Sequence, residues 1–147
     1  MLVHDQLARF FSLRRIAVLG VSTWRLDPTR FVFRALRAAG HDVLPIRAGV
    51  PEIDGVRAFA RVADLTGLID GAVIMTTRRL RDPLIEDCVD AGILRIWLVA
   101  PHAATADSIE VIESYGLEVV ATTSALPYLE RPARIRTMRW LGGRDAH

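Results

Sequence analysis

The sequence predicts a three-layer α/β domain built on an open parallel sheet of about five strands. Three observations predict it. Five short, almost uninterrupted apolar runs lie at Ile16–Val21, Asp42–Ile46, Gly71–Met75, Leu94–Val99 and Leu117–Ala121. Runs of that kind suit strands covered on both faces, as in a parallel sheet. Segments with helical spacing lie between most of them, each with its own start and stop residues. Strand–helix alternation with short connections makes right-handed βαβ units, which places the fold in the Rossmann-like class.

The elements follow in order. Residues 2–11 read as an amphipathic helix leading into the first strand. Asp27-Pro28 reads as N-cap and first helical residue, with Val32, Ala35, Leu36 and Ala39 on one face and Gly40 at the left-handed C-terminal position. Residues 47–70 are less regular, with room for a short strand near Val56 and a short helix near Arg61–Leu65. Asp82-Pro83 repeats the N-terminal grammar, followed by Ile85, Cys88, Val89 and a closing Gly92. A third copy runs from about Thr105 through Ile109 and Ile112 to Gly116. Beyond the last strand a helix is predicted over about 130–141, beginning at Pro132, with Ile135, Met138 and Leu141 on one side.

Composition narrows the function. At 147 residues, 51% apolar and 24% charged, the chain has the size and balance of one ordinary globular domain. No apolar run approaches the roughly 18 residues of a membrane span, and Met1–Asp5 lacks the layout of a secretion leader. The single cysteine, Cys88, has no partner for an internal disulfide, so the expectation is a cytoplasmic protein. The chain contains no lysine, which excludes both Schiff-base chemistry and a P-loop. Its net charge of +2 comes from the end of the chain, where residues 131–147 hold five arginines against one acid. The remainder is net negative, so no general basic surface for nucleic acid is expected. The apolar residues of that tail predict packing on the domain or on a second copy, and a homodimer is the preferred form.

The chemistry should lie at the carboxyl ends of the strands. Gly20 directly after the first strand lets backbone amides approach a phosphate, and Ser22 or Thr23 can add a hydroxyl donor. The three spaced glycines of a dinucleotide fingerprint are missing. After the second strand stands Arg47, where an NAD site places a carboxylate; a guanidinium suits a phosphate on the ribose, as in NADP or coenzyme A. Thr76, Thr77 and Arg78 follow the third major run, and Arg25, Arg30, Arg78 and Arg79 are candidates to converge on the same edge. His4, His41, His102 and His147 have no metal-ligand spacing. Ser22 lacks an identifiable base, and Cys88 lies on an apolar helix face, so neither catalytic nor metal residues are assigned.

The sequence resembles the small stand-alone CoA-binding proteins, whose domain is similar to the N-terminal domain of the succinyl-CoA synthetase α subunit. The resemblance is carried by Arg15-Ile-Ala-Val-Leu-Gly-Val-Ser22, by Phe31 to Pro45, by Ile69 to Thr77, by Ile85 to Trp97, by Tyr115 to Val120 and by Pro127-Tyr-Leu129. It spans about residues 14–141. It implies a CoA- or acyl-CoA-binding protein without catalysis of its own, with Gly20, Val21 and Ser22 at the phosphates, Arg25 and Arg47 neutralising them, and Thr76, Thr77 and Arg78 lining the crevice. An NADP-dependent oxidoreductase fragment and a nucleotide-fold interaction module are the alternatives. Departures fall at the ligand edge, where Arg47-Ala48 and Arg78-Arg79 replace the proline-containing turns of relatives.

Overall fold

A computed structural model describes residues 3–76, 78–99 and 106–122. At its centre is a five-stranded, all-parallel sheet. The chain runs α1 (Val3–Phe10), β1 (Arg15–Leu19), α2 (Pro28–Ala38), β2 (Asp42–Ile46), β3 (Glu52–Ile53), β4 (Val56–Arg57), a 3-10 turn (Val62–Leu65), β5 (Gly71–Ile74), α3 (Arg78–Asp90), β6 (Arg95–Val99), α4 (Ala106–Ser114) and β7 (Glu118–Thr122). Sheet order is β2-β1-β5-β6-β7, with Leu19 in register with both Ile46 and Ile74. β1 is therefore interior, and the chain reverses its direction across the sheet between β1 and β5.

The two-residue period of the strands divides the core. Ile16, Val18, Val73, Trp97 and Val120 face α1 and α2 together with Phe10, Phe33 and Leu36. Ala17, Leu19, Ala72, Ile74, Ile96 and Leu98 face the other way, against Ile85, Cys88 and Ile112 of α3 and α4. Both faces being covered explains why the strands read as continuous apolar runs rather than as alternation. Trp97 is fully buried, edge-on to Phe10 at 5.8 Å and to Phe11 at 5.6 Å, and its indole N–H donates to Thr122 Oγ1 at 3.0 Å. Among the described residues no helix is long and apolar enough to cross a membrane.

Local signals set most boundaries. The Asp27 carboxylate accepts from the Thr29 amide at 2.9 Å with Pro28 opening α2. Gly40, Gly92 and Gly116 close helices at φ of +99°, +83° and +82°. α3 is the exception: it begins at Arg78 and carries Pro83 inside it, so Asp82-Pro83 is not its start. The missing Pro83 N–H removes one backbone bond of the early helix, and the ring lies on the exposed side, where it costs no packing. The irregular stretch holds a two-residue hairpin, β3–β4, turned by Asp54 and Gly55 at φ +49° and +78°. Phe59 then pairs beside β2, its N–H donating to Pro45 O and its carbonyl accepting from Arg47 N. The helix predicted over 130–141 lies outside the described residues.

Candidate functional site

The crevice at the carboxyl ends of β1 and β5 is where the sheet order reverses, the position at which open α/β sheets hold ligands. Gly20 stands at its floor with φ +95°. A Cβ there would lie 2.6 Å from Thr76 Cγ2 and 2.9 Å from Met75 O, so the first loop can touch the end of β5 only through glycine. Gly20 and Thr76, chosen from sequence as separate candidates, are thus in direct apposition.

The loop after Gly20 is held by side chains on every side. Val21 is fully buried, and its carbonyl accepts from Arg47 Nη1 at 3.1 Å. This bond brings the end of β2 onto the first loop and leaves four guanidinium N–H groups of Arg47 for other partners. The Ser22 amide donates to Thr29 Oγ1 at 2.9 Å, and Ser22 Oγ accepts from the Trp24 amide at 3.0 Å. An amide contact from Ser22 to a ligand is therefore pre-empted, while its hydroxyl proton remains a donor. Thr29 Oγ1 in turn donates to Asp27 Oδ1 at 2.7 Å. Because that carboxylate occupies the head of α2, a bound anion belongs on the loop and not on the helix axis.

Arg30 departs from the expected convergence of arginines on the ligand edge. It is 5% exposed, turned inward beneath the loop. Its Nη1 donates to Ser22 O at 3.2 Å and Thr23 O at 3.1 Å, and its Nη2 pairs with Asp54 of the β3–β4 turn. Arg34 Nε joins the same carboxylate at 2.9 Å. Burial pushes the Asp54 carboxyl up, but the hydrogen bonds from Arg30 and Arg34 outweigh it and hold the group below its ordinary range. A charged, buried side chain needs this kind of pairing, because solvent no longer supports it. Asp54 and Thr29 are the residues that reading the sequence missed. Asp54 lies in the irregular stretch, and nothing local ties it to an arginine 24 positions earlier.

The remaining candidates separate. Arg25 is exposed at the loop tip and makes no hydrogen bond or ion pair among the described residues; Trp24 and Leu26 beside it are 62% and 64% exposed. Thr77 lies outside the described residues, as does the side chain of Arg78, whose backbone opens α3. Cys88 is buried in the core, its thiol pushed up to about 12 by burial and by the charge of Asp87. Among the described residues no cluster of His, Cys, Asp and Glu is arranged to hold a metal.

Residues 14–128 match the family model described as a CoA binding domain. Over 124 residues the chain is 26% identical to the α subunit of acetate–CoA ligase [ADP-forming] II from Pyrococcus furiosus, covering 76% of this chain and 26% of the ligase subunit. The chain thus spans about a quarter of that relative's length. A hypothetical protein from Pyrococcus horikoshii OT3 superimposes with a TM-score of 0.79 at 20% identity, covering 89% of this chain and 92% of its own, and shares the fold. The dinucleotide forming acetyl-coenzyme A synthetase 1 of Ca. Korarchaeum cryptofilum, solved with phosphate and ADP, gives 0.66 at 26% identity over 78% of this chain and 26% of the synthetase.

Proposed function

The chain belongs to the CoA binding domain family, and from that premise we propose that it binds coenzyme A or an acyl-CoA without carrying out chemistry on it. The observation that supports this reading best is the meeting of three sequence-distant groups at one crevice: the Gly20 turn, Thr76 and the Arg47 guanidinium. Gly20 gives close approach for a bulky, phosphorylated ligand. The Ser22 hydroxyl and the spare N–H groups of Arg47 are donors suited to phosphoryl oxygens, and Arg25 adds an exposed positive charge. Thr76 borders the other wall. Arginine at the end of β2 favours a ligand with a phosphate on its ribose, which is the 3′-phosphate of CoA, over NAD. The buried, strongly raised thiol of Cys88 offers no nucleophile.

Cytoplasmic residence and a homodimer formed through the arginine-rich tail are parts of the same proposal. A version ending after Tyr128 that keeps the full chain's number of subunits per particle in light scattering would remove the tail from any dimer.

Calorimetric titration with CoA, 3′-dephospho-CoA, NADP and NAD tests the ligand. CoA should bind most tightly, with the dephospho form weaker. At 100 times its dissociation constant a ligand adds about 2.7 kcal/mol. With an unfolding entropy of about 2.1 cal/mol/K per residue, that raises the melting temperature by about 9 °C. No heat and no shift with CoA, or a preference for NADP, would reject the assignment.

A further inference from the structure

Three consecutive peptide groups of the first loop present their carbonyls to arginines. Val21 O accepts from Arg47, and Ser22 O and Thr23 O both accept from Nη1 of Arg30. In a trans peptide the next residue's N–H points opposite to the carbonyl. Fixing those three oxygens therefore aims the amides of Ser22, Thr23 and Trp24 away from the arginines. Two of these amides are already taken, by the Thr29 hydroxyl and by the Ser22 hydroxyl. The Thr23 amide meets no acceptor among the described residues, and Thr23 is exposed. Beside it, Ser22 Oγ uses a lone pair on Trp24 and keeps its proton.

The guanidinium behind this arrangement is costly to keep where it is. Arg30 is 5% exposed, its Nε is buried with no partner, and an apolar side chain of similar size would fill the same space without desolvating a charge. What an apolar residue cannot do is capture two successive carbonyls. Asp54 fixes the other end of the fork from the β3–β4 turn, with Arg34 on its second oxygen. We propose that Arg30, anchored by Asp54, is a positioning residue that sets the polarity of the first loop, so that the Thr23 amide and the Ser22 hydroxyl form a two-donor seat for one phosphoryl oxygen. This rests on the CoA reading and deepens it: the seat takes one oxygen of a phosphate ester, not a phosphate wrapped by a ring of amides. Arg30 itself never touches the ligand.

The test is a set of 15N–1H spectra of the full chain, titrated first with inorganic phosphate and then with CoA. In the parent protein the Thr23 amide should show the largest shift of the loop with phosphate, and the same amide should move with CoA. Arg30→Met should abolish the Thr23 response or weaken it at least tenfold, while melting cooperatively. Arg30→Lys, whose ammonium can still donate to both carbonyls, should restore it to within about threefold. If Arg30→Met does not fold, Asp54→Asn carries the comparison. Asparagine tolerates the φ of +49° and keeps the turn, but withdraws the carboxylate from Arg30, and the phosphate dissociation constant read at Thr23 should rise at least threefold. A Thr23 amide indifferent to phosphate, or equally responsive in a folded Arg30→Met or in Asp54→Asn, overturns the positioning role. A parent whose Thr23 responds to phosphate through Arg30 but not to CoA supports the positioning role and rejects CoA as the ligand.

Discussion

Replacing Gly20 by alanine should be among the most damaging single-methyl changes available to this protein, for two separable reasons. The first is backbone strain: a φ of +95° costs an L-residue about 1 kcal/mol or more. The second is contact. The new Cβ would sit 2.6 Å from Thr76 Cγ2, which can shift, but also 2.9 Å and 3.0 Å from Met75 O and C, which cannot easily do so. Met75 N is bonded to Leu19 O at 3.0 Å, so retreat of that backbone strains the end of the β1–β5 ladder. Overpacking of this kind costs about 2 kcal/mol, which brings the total to about 3 kcal/mol. For a chain of 147 residues that lowers the melting temperature by about 10 °C. Gly92→Ala is the control, because Gly92 has φ +83° and open space around it, so it pays the strain alone, about 1 kcal/mol or about 3 °C. Thermal and urea unfolding of the two variants isolate the contact. Adding Thr76→Ser to Gly20→Ala deletes the nearest methyl and should recover part of the loss. If Gly20→Ala melts within about 2 °C of Gly92→Ala, then the apposition of the first loop on β5 is not tight.

Further outcomes are expected. Arg47→Ala should leave the melting temperature within a few degrees of the parent while equalising the affinities for CoA and 3′-dephospho-CoA; a preference that survives places the 3′-phosphate elsewhere. The Glu118 carboxyl is held low by hydrogen bonds from Arg95 and Arg9, against burial, which raises it. Its contribution is present above the unfolded carboxylate value of about 4.3 and is lost as pH falls through its lower folded value. Glu118→Gln should therefore narrow its stability gap to the parent as pH drops below about 4.3, and a constant gap would show that the ion pair is not the source. Cys88, buried with its thiol raised to about 12, should react with a thiol reagent in the native protein only as fast as the chain opens, so a rapid native reaction would contradict its place on the core-facing side of α3.

Much of this fold is legible along the chain because the forces that set it are local. Asp27 followed by Pro28 caps a helix through a contact two residues long. Gly40, Gly92 and Gly116 end helices because each must take a positive φ. The apolar runs at Ile16–Leu19 and Ile96–Val99 are strands covered on both faces, and continuity of hydrophobicity says so without reference to any partner. Family membership follows from the same blocks in the same order. Where local grammar competes with packing it misleads: Asp82-Pro83 has the form of a helix start, yet α3 begins four residues before Asp82, at Arg78.

The roles of the arginines are a different matter. Arg25, Arg30 and Arg47 carry the same group within one stretch of chain; the sequence sets Arg47 after a strand, but nothing in it says which of the three is buried. Only the tertiary structure does: Arg25 is left in solvent, Arg47 reaches Val21 O from the end of β2, and Arg30 is drawn under the loop by Asp54. The physical reason is that a long charged side chain takes the partner that burial brings within 3 Å, and that partner is set by where the β3–β4 turn packs against α2, not by neighbours in sequence. The close approach of Gly20 to Thr76 is of the same kind. A glycine after a strand announces freedom of the backbone, but only the parallel pairing of β1 with β5, 55 residues apart in register at Leu19 and Ile74, decides what that freedom is for.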